Sequence, residues 1–396
     1  MLGVYRVIDC SGELGWLAGR LLADLGADVV KIEAPGAAIA RADWQAYNVN
    51  KRLLRLEIAT AHGQDALEAL LDRADILIES ASPPHLRGDL FDPSRIRQRH
   101  PRLVHVSATP FGCEGPHAAW LASDLEIMAA GGAMSLAGES EGKPVRVSVP
   151  QARAWAGTHA AAGALIALLH RDVSGHGQHV DVSAQAAVLA ALAHAPTFVD
   201  INDKVPMRCG AFITGRTITG ARLRAFWPCA DGHINFVLYG GPAGRRSNEQ
   251  LVAWMRDAGA DLGALATIDC GDFDPKHLTQ EEVDRLEAPV GRFFATLTKR
   301  EFLEGASARE MLGYPVSTVG DVAADPQLAA RAFWADVPGE RGSSTRHCGA
   351  FLLVDGKRPA LRHAAGSPVA LVALREQWGS TLARTRVEPI TATEAG

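Results

Sequence analysis

The apolar positions of this chain fall into short continuous runs separated by stretches of helical period. A strand pattern over 4–9 is followed by Gly12, Gly15 and Gly19, a helical stretch over 17–25 and a second strand over 27–33, a β-α-β unit. Further strand-length runs stand at 53–58, 74–79 and 103–108, the last two after helical stretches at 62–71 and 93–99. Strands alternating with helices predict an α/β fold with an open, mostly parallel sheet.

From 155 to 169 the chain is dense in alanine, and Gly157 and Gly163 permit close packing, so a core helix is expected there. A strand over 178–183 and an alanine-rich helix over 184–194 follow. Periodicity is then lost, and the Gly, Thr and Arg content of 196–225 reads as a linker between a first region, 1–195, and a smaller unit, 226–325. That unit is expected to hold strands at 226–229 and 233–238, turning at Asp231-Gly232, and helices at 248–257, 289–297 and 299–308. A C-terminal segment, 326–396, adds strands at 333–337 and 350–354 and a polar tail from Val387.

The chain has 396 residues, 47% of them hydrophobic, and a net charge of −5 spread without long blocks of one sign. That balance provides no footprint for nucleic acid or an anionic membrane. The start lacks the basic stretch and long apolar core of a secretory signal, and the apolar stretches are shorter than the roughly 20 residues of a membrane span, so a cytoplasmic protein is expected. Six scattered cysteines show no zinc spacing and are read as reduced thiols, and His176 and His179 as loop residues, so no metal is expected. The first glycine turn lacks G-x-G-x-x-G and the chain has no P-loop, which argues against a dinucleotide dehydrogenase and a nucleoside triphosphatase. Gly138-Glu139-Ser140-Glu141-Gly142 fits G-x-S-x-G, yet its carboxylates would oppose an oxyanion.

Several collinear runs resemble the family III (CaiB/BaiF) coenzyme A transferases: Val7-Ile8-Asp9, Leu21 through Gly36, Asn48-Val49-Asn50-Lys51-Arg52, 65–79, Phe111-Gly112 with Gly115-Pro116, 124–138, 174–183 and Asp325 through Arg331. The resemblance implies a Rossmann-like large domain, a smaller α+β domain, a C-terminal segment returning to the large one, and an interlocked dimer of ring-like chains. It implies coenzyme A and acyl-CoA as substrates, a small carboxylic acid as acceptor, and no metal or redox cofactor.

In the transferases an aspartate just before the alanine-rich helix attacks the thioester. Here the run is Arg146-Val147-Ser148-Val149-Pro150-Gln151-Ala152-Arg153, so Arg153 stands at the aspartate position. A guanidinium offers donors only and is no nucleophile. Ser123 stands where the related racemases carry a histidine. The coenzyme site implied by the resemblance falls on Arg41, Lys51, Arg87, Glu79 and Ser80. Glu13 is the alternative carboxylate for catalysis, weighed against a simple helix N-terminal acid. Asp124 and Glu126 read as helix caps, and Gly240 through Gly244 as a turn or a covering loop. The reading that follows is a subunit of a heteromeric transferase whose paralogous partner, in a heterodimer or heterotetramer, keeps the aspartate. The other readings are an active homomer using Glu13 and a thioester-binding protein without catalysis.

Overall fold

The structure is a computed structural model and describes residues 1–80, 88–213, 221–338 and 344–380. The chain divides into two compact units, the first built from Met1–Ala133, Arg146–His194 and the chain from Pro326 onward, the second from Met134–Val145 and Ala195–Asp325.

The first unit is organised by a seven-stranded sheet. Its strands are β1 (Arg6–Asp9), β2 (Asp28–Glu33), β3 (Arg52–Arg55), β4 (Ile76–Glu79), β5 (Val104–Thr109), β6 (His179–Ser183) and an edge pair, Ser367–Pro368. The spatial order runs from that edge pair through β3, β2, β1, β4 and β5 to β6, every pairing parallel. The chain therefore steps outward from β1 to β3 and then restarts beside β1 with β4. This is the doubly wound order of Rossmann-like folds, whose switch point, between β1 and β4, is where such sheets bind ligands.

Strand side chains alternate between two cores. Val7, Val29, Ile76, Ile78, Val104 and Val106 face helices α1 (Trp16–Asp24) and α6 (Ala152–Ser174). Ile8, Val30, Ile32 and Leu77 face α3 (Ala61–Leu71), α4 (Pro93–Arg99) and the helix Leu371–Ser380 through Leu67, Leu70, Ile96, Leu374 and Trp378. Burial on both faces explains why these strands read as unbroken apolar runs. A side chain at Gly157 of α6 would meet Leu17 Cβ at 2.7 Å, so glycine there sets how closely α6 approaches α1.

In the second unit an antiparallel sheet of Phe226–Cys229, Gly232–Asn235 and Tyr314–Pro315 packs on helices Gly241–Asp257, Gln280–Phe294 and Lys299–Ala308. Trp227, Phe236, Phe293, Phe294 and Phe302 form its aromatic core. The helix expected at 289–297 begins earlier, at Gln280, because Thr279 and Glu282 form a capping box and Pro289 lies inside the helix. Residues 196–202 lie within the helix His194–Asn202. The strand expected at 350–354 is instead Ser344–Cys348, paired with Trp334–Pro338. The tail from Val387 lies outside the described residues. Among the described residues no single helix is long and apolar enough to cross a membrane.

Candidate functional site

At the switch point, β1 ends on Asp9, wholly buried and accepting from the Ser11 backbone N–H at 3.0 Å and the Ser11 hydroxyl at 2.5 Å. Lys51, just before β3, donates to Asp9 Oδ2, the Trp16 carbonyl and Asn48 Oδ1, each at 2.7 Å. Lys31 of β2 lies 3.7 Å from Asp9 Oδ1 and donates to the Ser11 carbonyl at 2.6 Å. Burial alone would raise the Asp9 carboxyl, but Lys51 and Lys31 reverse this and leave it lowered. Burial pushes the Lys51 ammonium down to about 8 against the pull of Asp9. A Cβ at Gly19 would stand 2.4 Å from Asp9 Oδ2, so the pair needs a bare backbone on α1. This cluster fixes the loop after β1. Across the crevice Gly12 N–H donates to Ser80 Oγ at 2.5 Å, tying that loop to the end of β4.

The loop presents Glu13, half exposed, to two guanidiniums: Arg41 at 3.2 Å and Arg153 at 3.7 Å. Asp43, in the first turn of α2 (Ala42–Asn48), completes the group, with Arg41 at 2.6 Å and Arg153 at 3.3 Å. Hydrogen bonding from Arg41 draws the Asp43 carboxyl down to about 2, and Arg153 contributes in the same sense. Arg153 is 7% exposed and lies over the Tyr47 ring, 5.1 Å from its centroid. Its own turn, the start of α6, is held by Asp124, whose Oδ1 accepts the Gln151 and Ala152 N–H groups at 2.7 Å. Two acids and two guanidiniums thus surround the first turn of α6, and the position closest to that turn offers donors only.

The remaining expected residues are placed as follows. Glu79 is wholly buried at the end of β4, accepting from the Ser107 hydroxyl, with His105 Nε2 at 3.5 Å. His179 Nε2 lies 2.9 Å from that hydroxyl. Lys51 is buried, while the Arg41 side chain is 57% exposed. Arg87 lies outside the described residues. Glu126 forms a capping box with Ser123 at the start of α5 (Asp124–Ala130), whereas Asp124 caps α6. Ser140 sits in a turn of the second unit, where its Oγ accepts from Arg222 at 3.2 Å; no strand-to-helix elbow surrounds it. Gly241 through Gly244 form the first turn of the helix Gly241–Asp257, so this segment is neither a plain turn nor a free loop. Among the described residues no group of three His, Cys, Asp or Glu is arranged to hold a metal ion. Sequence reasoning passed over Asp43 and Tyr47, whose only local signal is their place in the short helix after Arg41.

Residues 3–369 match CoA-transferase family III. The chain belongs to that family. Among characterised relatives, the family III chain is 35% identical over 348 residues to the succinyl-CoA:(R)-benzylsuccinate CoA-transferase subunit BbsE of Thauera aromatica, covering 83% of this chain and 82% of that one. It is 31% identical over 368 residues to the formyl-CoA:oxalate CoA-transferase of Streptomyces avermitilis, covering 85% of each. A CaiB/BaiF family protein from Brucella suis shares its fold, with a TM-score of 0.79 at 23% identity over 94% of this chain and 98% of that one. CoA-transferases use coenzyme A thioesters as substrates.

Proposed function

We propose that this chain is the non-catalytic subunit of a heteromeric acyl-CoA:carboxylate CoA-transferase, acting with a paralogous subunit that carries the aspartate, and that the acceptor is an arylalkyl dicarboxylic acid of the benzylsuccinate type. The observation that carries the reading is Arg153. In the transfer a carboxylate oxygen attacks the thioester carbon and coenzyme A leaves as thiolate, giving a mixed anhydride. A guanidinium has no oxygen anion to offer, and this one is buried against Asp43, Glu13 and Tyr47. Glu13, the other carboxylate at that turn, is engaged by two guanidiniums, which occupy the oxygens that would have to attack. Similarity to a relative named as a subunit, with an arylalkyl dicarboxylate in its name, supports both the heteromer and the acid class. Of the cations assigned to coenzyme phosphates, Arg41 is the described one that reaches solvent.

The test is transfer from succinyl-CoA to benzylsuccinate by three preparations: the chain alone, the chain copurified with the aspartate-bearing paralogue, and Arg153→Asp alone. The expected result is activity in the pair, none in the lone chain, and weak acyl-enzyme formation trapped by hydroxylamine in the variant. Full turnover by the lone chain, abolished in Glu13→Gln, would establish the homomeric alternative instead.

A further inference from the structure

The loop leaving β5 carries an aromatic group that the ion cluster does not use. The His117 imidazole and Trp120 indole are stacked, with centroids 3.8 Å apart at 22°, and Phe111 meets both edge-on, at 5.7 Å and 6.2 Å. Such an arrangement normally closes into a core, yet Trp120 is 55% exposed and Leu121 is 74% exposed. The loop is also held in place. Gly112 N–H donates to Thr109 Oγ1 at 2.9 Å, Cys113 N–H to Asp181 Oδ2 at 2.8 Å and Trp120 N–H to the His117 carbonyl at 2.9 Å. Gly112, at φ +96°, makes the turn that only glycine takes without strain. The indole is therefore presented in a fixed orientation with its uncovered part toward solvent.

We propose that the Phe111–His117–Trp120 group is the aryl subsite of this chain, receiving the aromatic end of the acceptor acid. The inference rests on the arylalkyl acid class argued above and assigns it a residue, Trp120, as a specificity determinant. Location supports it, because the loop lies at the carboxyl end of β5, the strand beside β4, and open parallel sheets receive ligands at that end. It runs directly into Asp124, which caps the helix bearing Arg153. Three residues stand between Trp120 and Asp124, so their Cα atoms lie within about 14 Å of each other. Charge selects the occupant. From Phe111 to Asp124 the chain has two acids, Glu114 and Asp124, and no lysine or arginine. Such a loop repels the phosphates of coenzyme A and the carboxylates of the acid alike, and accepts an uncharged ring.

The test uses the copurified heteromer with succinyl-CoA as donor and two acceptors that differ only by the ring, benzylsuccinate and methylsuccinate. Trp120→Ala should raise KM for benzylsuccinate about tenfold. KM for methylsuccinate and for succinyl-CoA should stay unchanged, and Trp120→Phe should retain most of the preference. Unchanged KM for benzylsuccinate in Trp120→Ala, or an equal rise for both acceptors in a variant with native circular dichroism, overturns the subsite while leaving the transferase reading intact. A wild-type heteromer that transfers to methylsuccinate but to no arylalkyl acid overturns the acid class itself, and the subsite with it.

Discussion

Replacing Glu287 by glutamine isolates one buried charge in the second unit. Glu287 is 5% exposed on the helix Gln280–Phe294, and its Oε1 accepts the Arg224 backbone N–H at 2.7 Å. Burial pushes its carboxyl from 4.5 up to about 7, against the Arg224 N–H and charge and with a smaller push from Asp284. The native state thus holds a proton between pH 4.5 and 7 that the unfolded chain has already released, and stability falls as pH rises through that window. The difference of 2.5 units sets a ceiling of about 3 kcal/mol, at 1.36 kcal/mol per unit. Glutamine keeps the acceptor and has no charge to desolvate. Urea unfolding of wild type and Glu287→Gln at pH 5, 6, 7 and 8 should therefore give curves that meet at the acid end and diverge toward pH 8, the variant being more stable there. Parallel pH profiles, or a variant less stable at pH 8, would refute the reasoning.

Lys51→Met strips Asp9 of its nearer cation and leaves Lys31 at 3.7 Å, so it should destabilise the first unit by about 3–5 kcal/mol, the range for breaking a buried pair. Asp9→Asn combined with Lys51→Met should cost less than the sum of the single changes in chemical denaturation, and strict additivity would show that the pair is not coupled. Gly157→Val drives a side chain into Leu17 and should lower stability by about 1–3 kcal/mol, read as a fall in Tm; an unchanged Tm would mean that α1 and α6 separate freely.

What the sequence made legible follows from where the information sits. β1, β2, β4 and β5 are buried on both faces, so each is an apolar run of strand length, and the alanine-rich stretch of α6 marks a helix packed against its neighbours. The helix expected at 289–297 starts instead at Gln280, where the Thr279–Glu282 box, a local signal present in the sequence, sets its N-terminus. The site was harder to read for a different reason. Lys51 resembles a surface cation by composition, and only the fold brings it to Asp9, 42 positions earlier, and buries it. Arg153 meets Asp43 across 110 positions. No spacing rule carries a contact of that range, so a family pattern located the substitution while the fold supplied its neighbours.

Those neighbours decide how Arg153→Asp should behave. An arginine in the first turn of a helix opposes the helix dipole, which favours an acid there. The opposition is offset by Asp43 at 3.3 Å and Glu13 at 3.7 Å, with Asp124 capping the backbone. Changing Arg153 to aspartate restores the dipole's preference but places a third carboxylate beside those two, with Arg41 the one guanidinium left among the four residues. Mutual repulsion then raises the new carboxyl and scatters its orientation, which blunts it as a nucleophile. Asp43→Asn added to Arg153→Asp removes the nearer of the two opposing charges, leaving Glu13, while keeping a hydrogen-bond acceptor for Arg41. Hydroxylamine-trapped acyl enzyme should therefore accumulate faster in the double variant than in Arg153→Asp alone, and equal rates would mean that the charge at Asp43 has no part in keeping this turn unreactive.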